Sequence, residues 1–283
     1  MRTFHLLPNA ALLPFIDRFW GWESAPDEVV ALPTLLPGTG AELYFHYRMP
    51  FRRLTEPGVP IVCAATHLFC LRRQPVSLCP SGDLGFIAVR FRAGMLHRFT
   101  DIPGRELADR VLSIDDLWAG TGKALARRVA ETGTMPERLR LIQAFLLQCL
   151  RLEAVDDLVE HAVAALYRES SSLSIGQLAT RMGIGRRQME RRILAVSGQS
   201  PAEIRRLGRF QKAVRTLLLL PNTPPLDTAL AEGYYDQSHF HRDFRQLVGV
   251  PPGRFLLAAR AKTHFYNTSR CSSKKMTAPV YHL

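Results

Sequence analysis

Ala231-Glu232-Gly233-Tyr234-Tyr235-Asp236-Gln237-Ser238-His239-Phe240-His241-Arg242-Asp243-Phe244 reads as a glycine-containing turn that feeds a short amphipathic helix. A near copy lies upstream. From Ala179 to Ala229 and from Gly183 to Gly233 the offset is 50 positions; from Met189 to Phe240, Arg191 to Arg242, Ile193 to Phe244, Gly198 to Gly249 and Pro201 to Pro252 it is 51. One residue has been added inside the second turn, before Asp236, because Gly185 to Asp236 already carries the longer offset. A constant offset on either side of one insertion marks a duplicated supersecondary unit.

Each copy has the order of a helix-turn-helix: a short helix, a turn containing Gly, and a second helix whose exposed face can lie in the major groove. Gly183 and Gly233 suit a left-handed backbone position, which residues with a Cβ adopt at a cost. The apolar residues of the second helices recur at i and i+4, Met189 with Ile193 and Phe240 with Phe244, and should face inward. The expected structural set is therefore Ala179, Gly183, Met189 and Ile193, with Ala229, Gly233, Phe240 and Phe244 in the second copy.

The opposite faces are polar: Arg186, Arg187, Glu190 and Arg191 in the first copy, Gln237, Ser238, His239 and Arg242 in the second. Arg pairs bidentately with guanine, Gln with adenine, and Ser with several base edges. A single helix with such residues is as readily a solvated surface; two copies in register favour DNA contact. Between them, Pro201 to Leu220 reads as one helix, with Pro221 just beyond it. Its span from Ala202 to Leu219 is about 27 Å at about 1.5 Å per residue. One DNA turn is about 34 Å, so one chain would present both recognition helices to successive major grooves.

Residues of about 155 to 260 resemble the DNA-binding domain of the AraC family of transcription regulators. The likeness runs through Gly233 to Phe244 and on to Gly249-Val250-Pro251-Pro252-Gly253-Arg254-Phe255. In the first copy it rests on Leu178-Ala179, Gly183, Met189, Arg191, Ile193 and Gly198-Gln199-Ser200-Pro201, with Arg209, Ala213, Leu217 and Leu218 in the linker helix. Three features depart from the family: Gly185 stands where Ser usually caps the first recognition helix, the pair Arg186-Arg187 opens that helix, and Tyr234 replaces a Phe. The resemblance implies double-stranded DNA as partner, RNA polymerase as a further one, and no cofactor. It also implies an N-terminal cupin-like domain that binds a small-molecule effector, forms a homodimer, or both. Operator sequence, effector, and activation as opposed to repression stay open.

Charge follows the duplicated unit. The chain has 37 Lys plus Arg against 25 Asp plus Glu; residues 1–155 carry a net +3 and residues 156–283 a net +9. Such an excess favours counterion release on phosphate and a steep loss of affinity as salt rises. No stretch of about 18 apolar residues suggests a membrane span, and the first residues lack a secretion signal, so a cytoplasmic location is expected. Cys63, Cys70, Cys79, Cys149 and Cys271 form no CxxC pair, which fits a reducing compartment.

The expected fold is α+β: a small antiparallel β-rich, cupin-like domain with trailing helices, then an all-α domain of two helix-turn-helix units joined by a long helix. The domain limits read from the sequence are 1–152, β-rich to about 92 and helical after, then 153–262 for DNA binding and 263–283 for a flexible tail. Helices are expected at Gly94 to Phe99, Ile114 to Trp118, Lys123 to Thr132 and Pro136 to Leu152. Leu36-Pro37-Gly38-Thr39-Gly40-Ala41-Glu42-Leu43 and Ala108-Asp109-Arg110-Val111 are the best local family matches in this half. His5, His46, His67 and His97 form no His-x-His pair, so no metal is expected. Trp20, Trp22, Tyr44, Phe45, Tyr47 and Phe86 read as core or as the lining of an apolar pocket.

Three functions compete: a sequence-specific transcription regulator, a DNA-targeted repair enzyme, and an architectural protein that binds DNA without reading it. The enzyme lacks support, since no Gly-x-Ser-x-Gly, Walker loop, His-Glu-x-x-His or Cys quartet is present. The mixed Arg, Glu, Gln, Ser and His of the reading faces argue against the architectural protein.

Overall fold

A computed structural model of the chain describes residues 1–55, 58–153 and 156–260. The expected tail from 263, Cys271 and the last two positions of the DNA-binding segment lie outside the described residues. Among the described residues, ten short strands carry the N-terminal half: β1 (Arg2–Leu6), β2 (Ile16–Glu23), β3 (Thr34–Leu35), β4 (Glu42–His46), β5 (Arg52–Leu54), β6 (Pro60–Val62), β7 (Thr66–Phe69), β8 (Val76–Cys79), β9 (Gly85–Phe91) and β10 (Val111–Ser113). They form a six-stranded sheet in the order β1-β2-β9-β4-β7-β10 and a four-stranded sheet in the order β3-β8-β5-β6. Neighbouring strands are antiparallel throughout.

The two-residue period of a strand sorts side chains between two cores. Leu43 and Phe45 of β4 and Ile87, Val89 and Phe91 of β9 face α1 (Ile114–Glu131) and α2 (Met135–Cys149). Tyr44, Phe86 and Ala88 face the other way, into a core with Trp20, Trp22, Phe51 and Phe69. Each face of the large sheet is thus covered, once by helices and once by the small sheet. The six aromatics expected as core or pocket lining divide accordingly: four lie in the second core, Phe45 lies in the first, and Tyr47 is half-buried with the Arg138 guanidinium 3.7 Å over its ring.

The helical stretch after Arg92 differs from expectation at two places. Val111–Ser113 is a strand, paired with β7 through Val111 opposite Phe69 and Ser113 opposite His67. Three residues are too few to show a period, and the pairing partner is more than forty positions away. The first expected helix is only a 3-10 turn at Leu96–Arg98. The next two are the arms of α1, broken where Trp118 and Ala119 leave helical dihedrals.

β4 and β7 also bring two histidines together inside the second core. The His46 and His67 rings stack 5.5 Å apart, and His67 lies 5.3 Å from the parallel ring of Tyr44. His67 Nδ1 donates to the Ala64 carbonyl at 2.7 Å, while its Nε2 and both His46 nitrogens are buried without a hydrogen-bond partner among the described residues. Burial pushes the His67 imidazole down to about 4 and holds His46 well below its ordinary value. No group of three or more His, Cys, Asp or Glu among the described residues is placed to hold a metal ion.

Seven helices follow among the described residues: α3 (Asp157–Arg168), α4 (Ile175–Met182), α5 (Arg186–Ser197), α6 (Pro201–Leu219), α7 (Pro225–Ala231), α8 (Gln237–Val248) and α9 (Pro252–Arg260). Ser200 caps α6 in a capping box with Glu203, and Pro201 opens it without losing a bond. Ile204 of α6 belongs to the first unit's core, with Val159, Leu178, Met189 and Ile193. Leu207, Phe210, Val214 and Leu217 belong to the second unit's core, with Phe240, Phe244 and Leu256. Among the described residues no helix is long and apolar enough to cross a membrane.

The two halves of the chain pack directly on one another. A 3-10 turn at Gly104–Glu106 meets the end of α5, where a Cβ on Gly104 would lie 2.5 Å from the Val196 carbonyl oxygen and 2.6 Å from the Gly198 nitrogen. Arg98 forms a fork with Glu160 at 2.6 and 3.0 Å, and Arg73 meets Glu203 at 2.9 Å. The loop after β3 sits on the linker helix: Gln211 Nε2 donates to the Pro37 carbonyl at 3.2 Å.

The two core histidines make stability depend on pH. Unfolded, an imidazole takes its proton near 6.5; in the folded chain His67 does so only near 4, so its contribution is complete above about 6.5 and is lost as pH falls toward 4. At about 1.4 kcal/mol per pKa unit, His67 alone accounts for about 3 kcal/mol over that window. Denaturation of the full chain at pH 7.5 and 4.5 should show this loss, and His67→Gln should flatten the dependence; an equally steep profile in the variant would refute the assignment.

Candidate nucleic-acid interface

In each repeat the turn sets the recognition helix. Gly183 and Gly233 have φ of 63° and 78°, the left-handed region that the repeat pattern requires of them. Asp236 caps α8 by accepting the His239 N–H at 2.6 Å. Gly185, its equivalent in the first repeat, gives α5 no side-chain cap. The Tyr234 hydroxyl, the addition relative to the usual Phe, donates to Asp243 Oδ2 at 2.9 Å. Burial and the Asp243 charge push that phenol well above its ordinary value.

All six expected core positions are buried: Ala179, Met189 and Ile193 in the first unit and Ala229, Phe240 and Phe244 in the second. That burial rotates the polar sides of α5 and α8 outward. Arg187, Arg191, Gln237, Ser238 and Arg242 are exposed, and their side chains make no hydrogen bond within the described residues. Arg186 is exposed and pairs with Glu190 one turn on, at 2.9 Å. The arrangement offers donors and acceptors on two helices with the stems held fixed beneath them.

His239 sits differently from Gln237, Ser238 and Arg242 on the same helix. It is half-buried, its Nδ1 accepts the Tyr235 N–H at 3.4 Å, and its ring stands edge-on to Tyr234 at 5.3 Å. His241, which the sequence reading passed over, is exposed and occupies the place of Glu190 in the repeat; Arg245 extends the same stripe by one turn. The offset of 51 was enough to find His241, since it maps Glu190 onto that position.

A second pair found by the same offset fastens the recognition helices. Arg192 of α5 forks onto Asp156, the cap of α3, at 2.6 and 2.5 Å. Its counterpart Asp243 of α8 takes Arg206 of α6 at 2.5 Å. The charges are reversed between the copies, but each ties the inner edge of its helix to the scaffold. Asp243 is only 8% exposed and serves Tyr234 and Arg206 together, so it also locks the turn.

Residues 178–258 match the family model described as a helix-turn-helix domain, and residues 4–113 match one described as a domain of unknown function (DUF6597). No curated protein matches the chain. Among solved structures the chain is similar to ToxT from Vibrio cholerae, at 11% identity over 84% of this chain and 98% of that one, with a TM-score of 0.49. It is also similar to the DNA-binding domain of AdpA in complex with a target DNA, at 26% identity over 38% and 96% of the two chains and a TM-score of 0.34. A third likeness is to the C-terminal domain of AraT, a response regulator from Geobacillus stearothermophilus, at 20% identity over 46% and 100%, with a TM-score of 0.36. The match over residues 178–258, with two such units built on one linker helix, shows that the C-terminal half of the chain carries a double helix-turn-helix domain.

Proposed function

We propose that the chain reads one asymmetric duplex site of about two turns, with α5 and α8 in successive major grooves. The observation that carries this is the pair of exposed polar faces, in the same phase, on helices packed against opposite parts of α6. At 19 residues α6 is about 28 Å long, close to one DNA turn. In this reading Arg187, Arg191 and Arg242 reach guanine or phosphate, Gln237 and Ser238 read base edges, and Glu190 either accepts from cytosine or aims Arg186. His239 supports the second helix from beneath, and His241 takes the base-facing place.

The reading extends to the organisation of the chain: residues 1–152 form a control domain and 153–262 the DNA-binding domain. Control then works through a small effector or a second copy of the chain, with RNA polymerase as the downstream partner; for the polymerase and the second copy the support is the resemblance to AraC-type regulators alone. The protein acts by binding rather than catalysis, in the cytoplasm where its DNA lies. An effector shifts the DNA-binding equilibrium by no more than its own differential affinity for the two states.

Selection of bound sequences from a random duplex pool, followed by footprinting, should give one protected site of about two turns at moderate salt. Salt-sensitive coating of any duplex, with no selected sequence, would favour an architectural protein. Two adjacent residues should then respond in opposite ways. Arg242→Ala should weaken specific binding by about 1 to 3 kcal/mol, affect random DNA less, and leave stability unchanged. Asp243→Ala strands Tyr234 and Arg206 beneath α8, so hydrogen exchange there should speed up by the equivalent of about 2 kcal/mol. Equal loss on specific and random DNA for Arg242→Ala would reassign it to a phosphate contact.

A further inference from the structure

The second repeat differs from the first in two ways that bear on how it holds DNA. One is the inserted residue, which the backbone identifies. The Ile184 N–H donates to the Ala179 carbonyl at 3.3 Å and the Tyr234 N–H to the Ala229 carbonyl at 2.9 Å, so these two residues correspond, and each packs into the core of its own unit. Gly185 and Asp236 correspond as the caps of α5 and α8. Tyr235 lies between Tyr234 and Asp236 and has no counterpart. It is 86% exposed, and its hydroxyl makes no hydrogen bond among the described residues. The backbone beneath it is held from three sides: a Cβ on Gly233 would lie 2.9 Å from the Ser171 Cα, Arg209 donates to the Gly233 carbonyl at 3.3 Å, and the Tyr235 N–H donates to His239 Nδ1. A fixed stem that carries a free aromatic ring is preorganised for a contact outside the chain.

The other difference is charge. Residues 175–198 carry five arginines and one carboxylate, a net +4, whereas residues 225–249 carry two arginines and four carboxylates, a net −2. No Lys or Arg occurs between Arg215 and Arg242, and under the offset of 51 the pair Arg186 and Arg187 becomes Gln237 and Ser238. Asp236 places a further carboxylate at the start of α8, where it neutralises the positive helix end that would otherwise attract a phosphate. The second unit is thus short of cations on the side where its helix enters the groove, and a neutral donor has to meet the phosphates there. Tyrosine is one of the side chains that contact phosphate and sugar, and the residue ahead of the cap stands beside that backbone.

We propose that Tyr235 clamps the sugar-phosphate backbone beside the second half-site, its hydroxyl donating to a phosphate oxygen and its ring lying along the deoxyribose. The inference rests on the reading of α8 as a recognition helix and adds how that unit is anchored. A neutral hydroxyl displaces no condensed counterion, whereas each arginine on a phosphate does. The first unit therefore supplies most of the salt dependence of binding, and the second is held by a contact that salt weakens little.

The test uses the full chain and the duplex selected from the random pool, with phosphates of the second half-site replaced one at a time by neutral methylphosphonates. One such replacement should weaken binding by the unaltered chain about tenfold. Tyr235→Phe should lose about the same on the natural duplex, with its melting temperature and the slope of log affinity on log salt unchanged, and should make that methylphosphonate harmless. Tyr235→Ala should bind about threefold more weakly again, through loss of the ring. Full affinity in both variants overturns the proposal, and so does a methylphosphonate penalty that survives in Tyr235→Phe at every position. A shallower salt slope in Tyr235→Phe overturns it as well, since a cation would then have left its phosphate. If the unaltered chain selects no sequence, the regulator reading itself fails; if it selects one and Tyr235 proves silent, only the clamp fails.

Discussion

Burial is demanded of α6 along three directions at once, and the arrangement of everything else follows from that. Its first turns complete the core beneath α5, its later turns complete the core beneath α8, and Gln211 between them is claimed by the N-terminal loop at Pro37. A seven- or eight-residue helix such as α7 or α4 is too short to be stable by itself in water, so each recognition unit exists because α6 supplies its missing wall. Two reading helices on one such rod cannot choose their phase independently. The single inserted residue in the second repeat is tolerated because it falls in a turn, ahead of the cap at Asp236, where it leaves the buried stripe of α8 undisturbed.

The junction between the halves combines a strong polar contact with close backbone packing. Burial pushes the Glu160 carboxyl up, but hydrogen bonds from His97 and Arg98, together with the Arg98 charge, outweigh it and hold the group at about 2. Arg98 itself is buried and also donates to the carbonyl of Arg151 in the connection to α3. A fork of this kind repays its desolvation only while both partners stay in place. It therefore fixes the relative position of the halves more than it adds to their total stability.

Much of the C-terminal half was legible in the sequence because its signals are local and occur twice. Gly183 and Gly233, the i and i+4 apolar pairs, and the offset of 51 depend only on chain neighbours within a turn or two of helix. The same offset also contained His241 and the Arg192 and Asp243 anchors, but they emerge only once the repeats are aligned position by position. The N-terminal half was legible as alternating strands and as little else. The pairing of β10 with β7, the stacking of His46 on His67, and the division of six aromatics between two cores are set by contacts between distant segments. No residue there carries a sign of its partner.

Three glycines of the N-terminal half touch the DNA-binding half at its scaffold: Gly38 at Gln211, Gly94 at Val163, and Gly104 at Gly198. At the last of these, main chain rests on main chain, with a Cβ on Gly198 falling 2.0 Å from the Gly104 carbonyl oxygen. Side-chain contacts absorb small displacements by changing rotamer, and a backbone contact has no such slack. The seam at the end of α5 is consequently stiff in compression, whereas in tension it is held by the Arg73 side chain, which donates to the Gly198 carbonyl at 3.4 Å and pairs with Glu203. A movement that presses the halves together meets main chain at the end of the first recognition helix, whereas one that draws them apart works against an exposed side-chain contact. The joint is stiffer in one sense than in the other, closer to a stop than to a hinge.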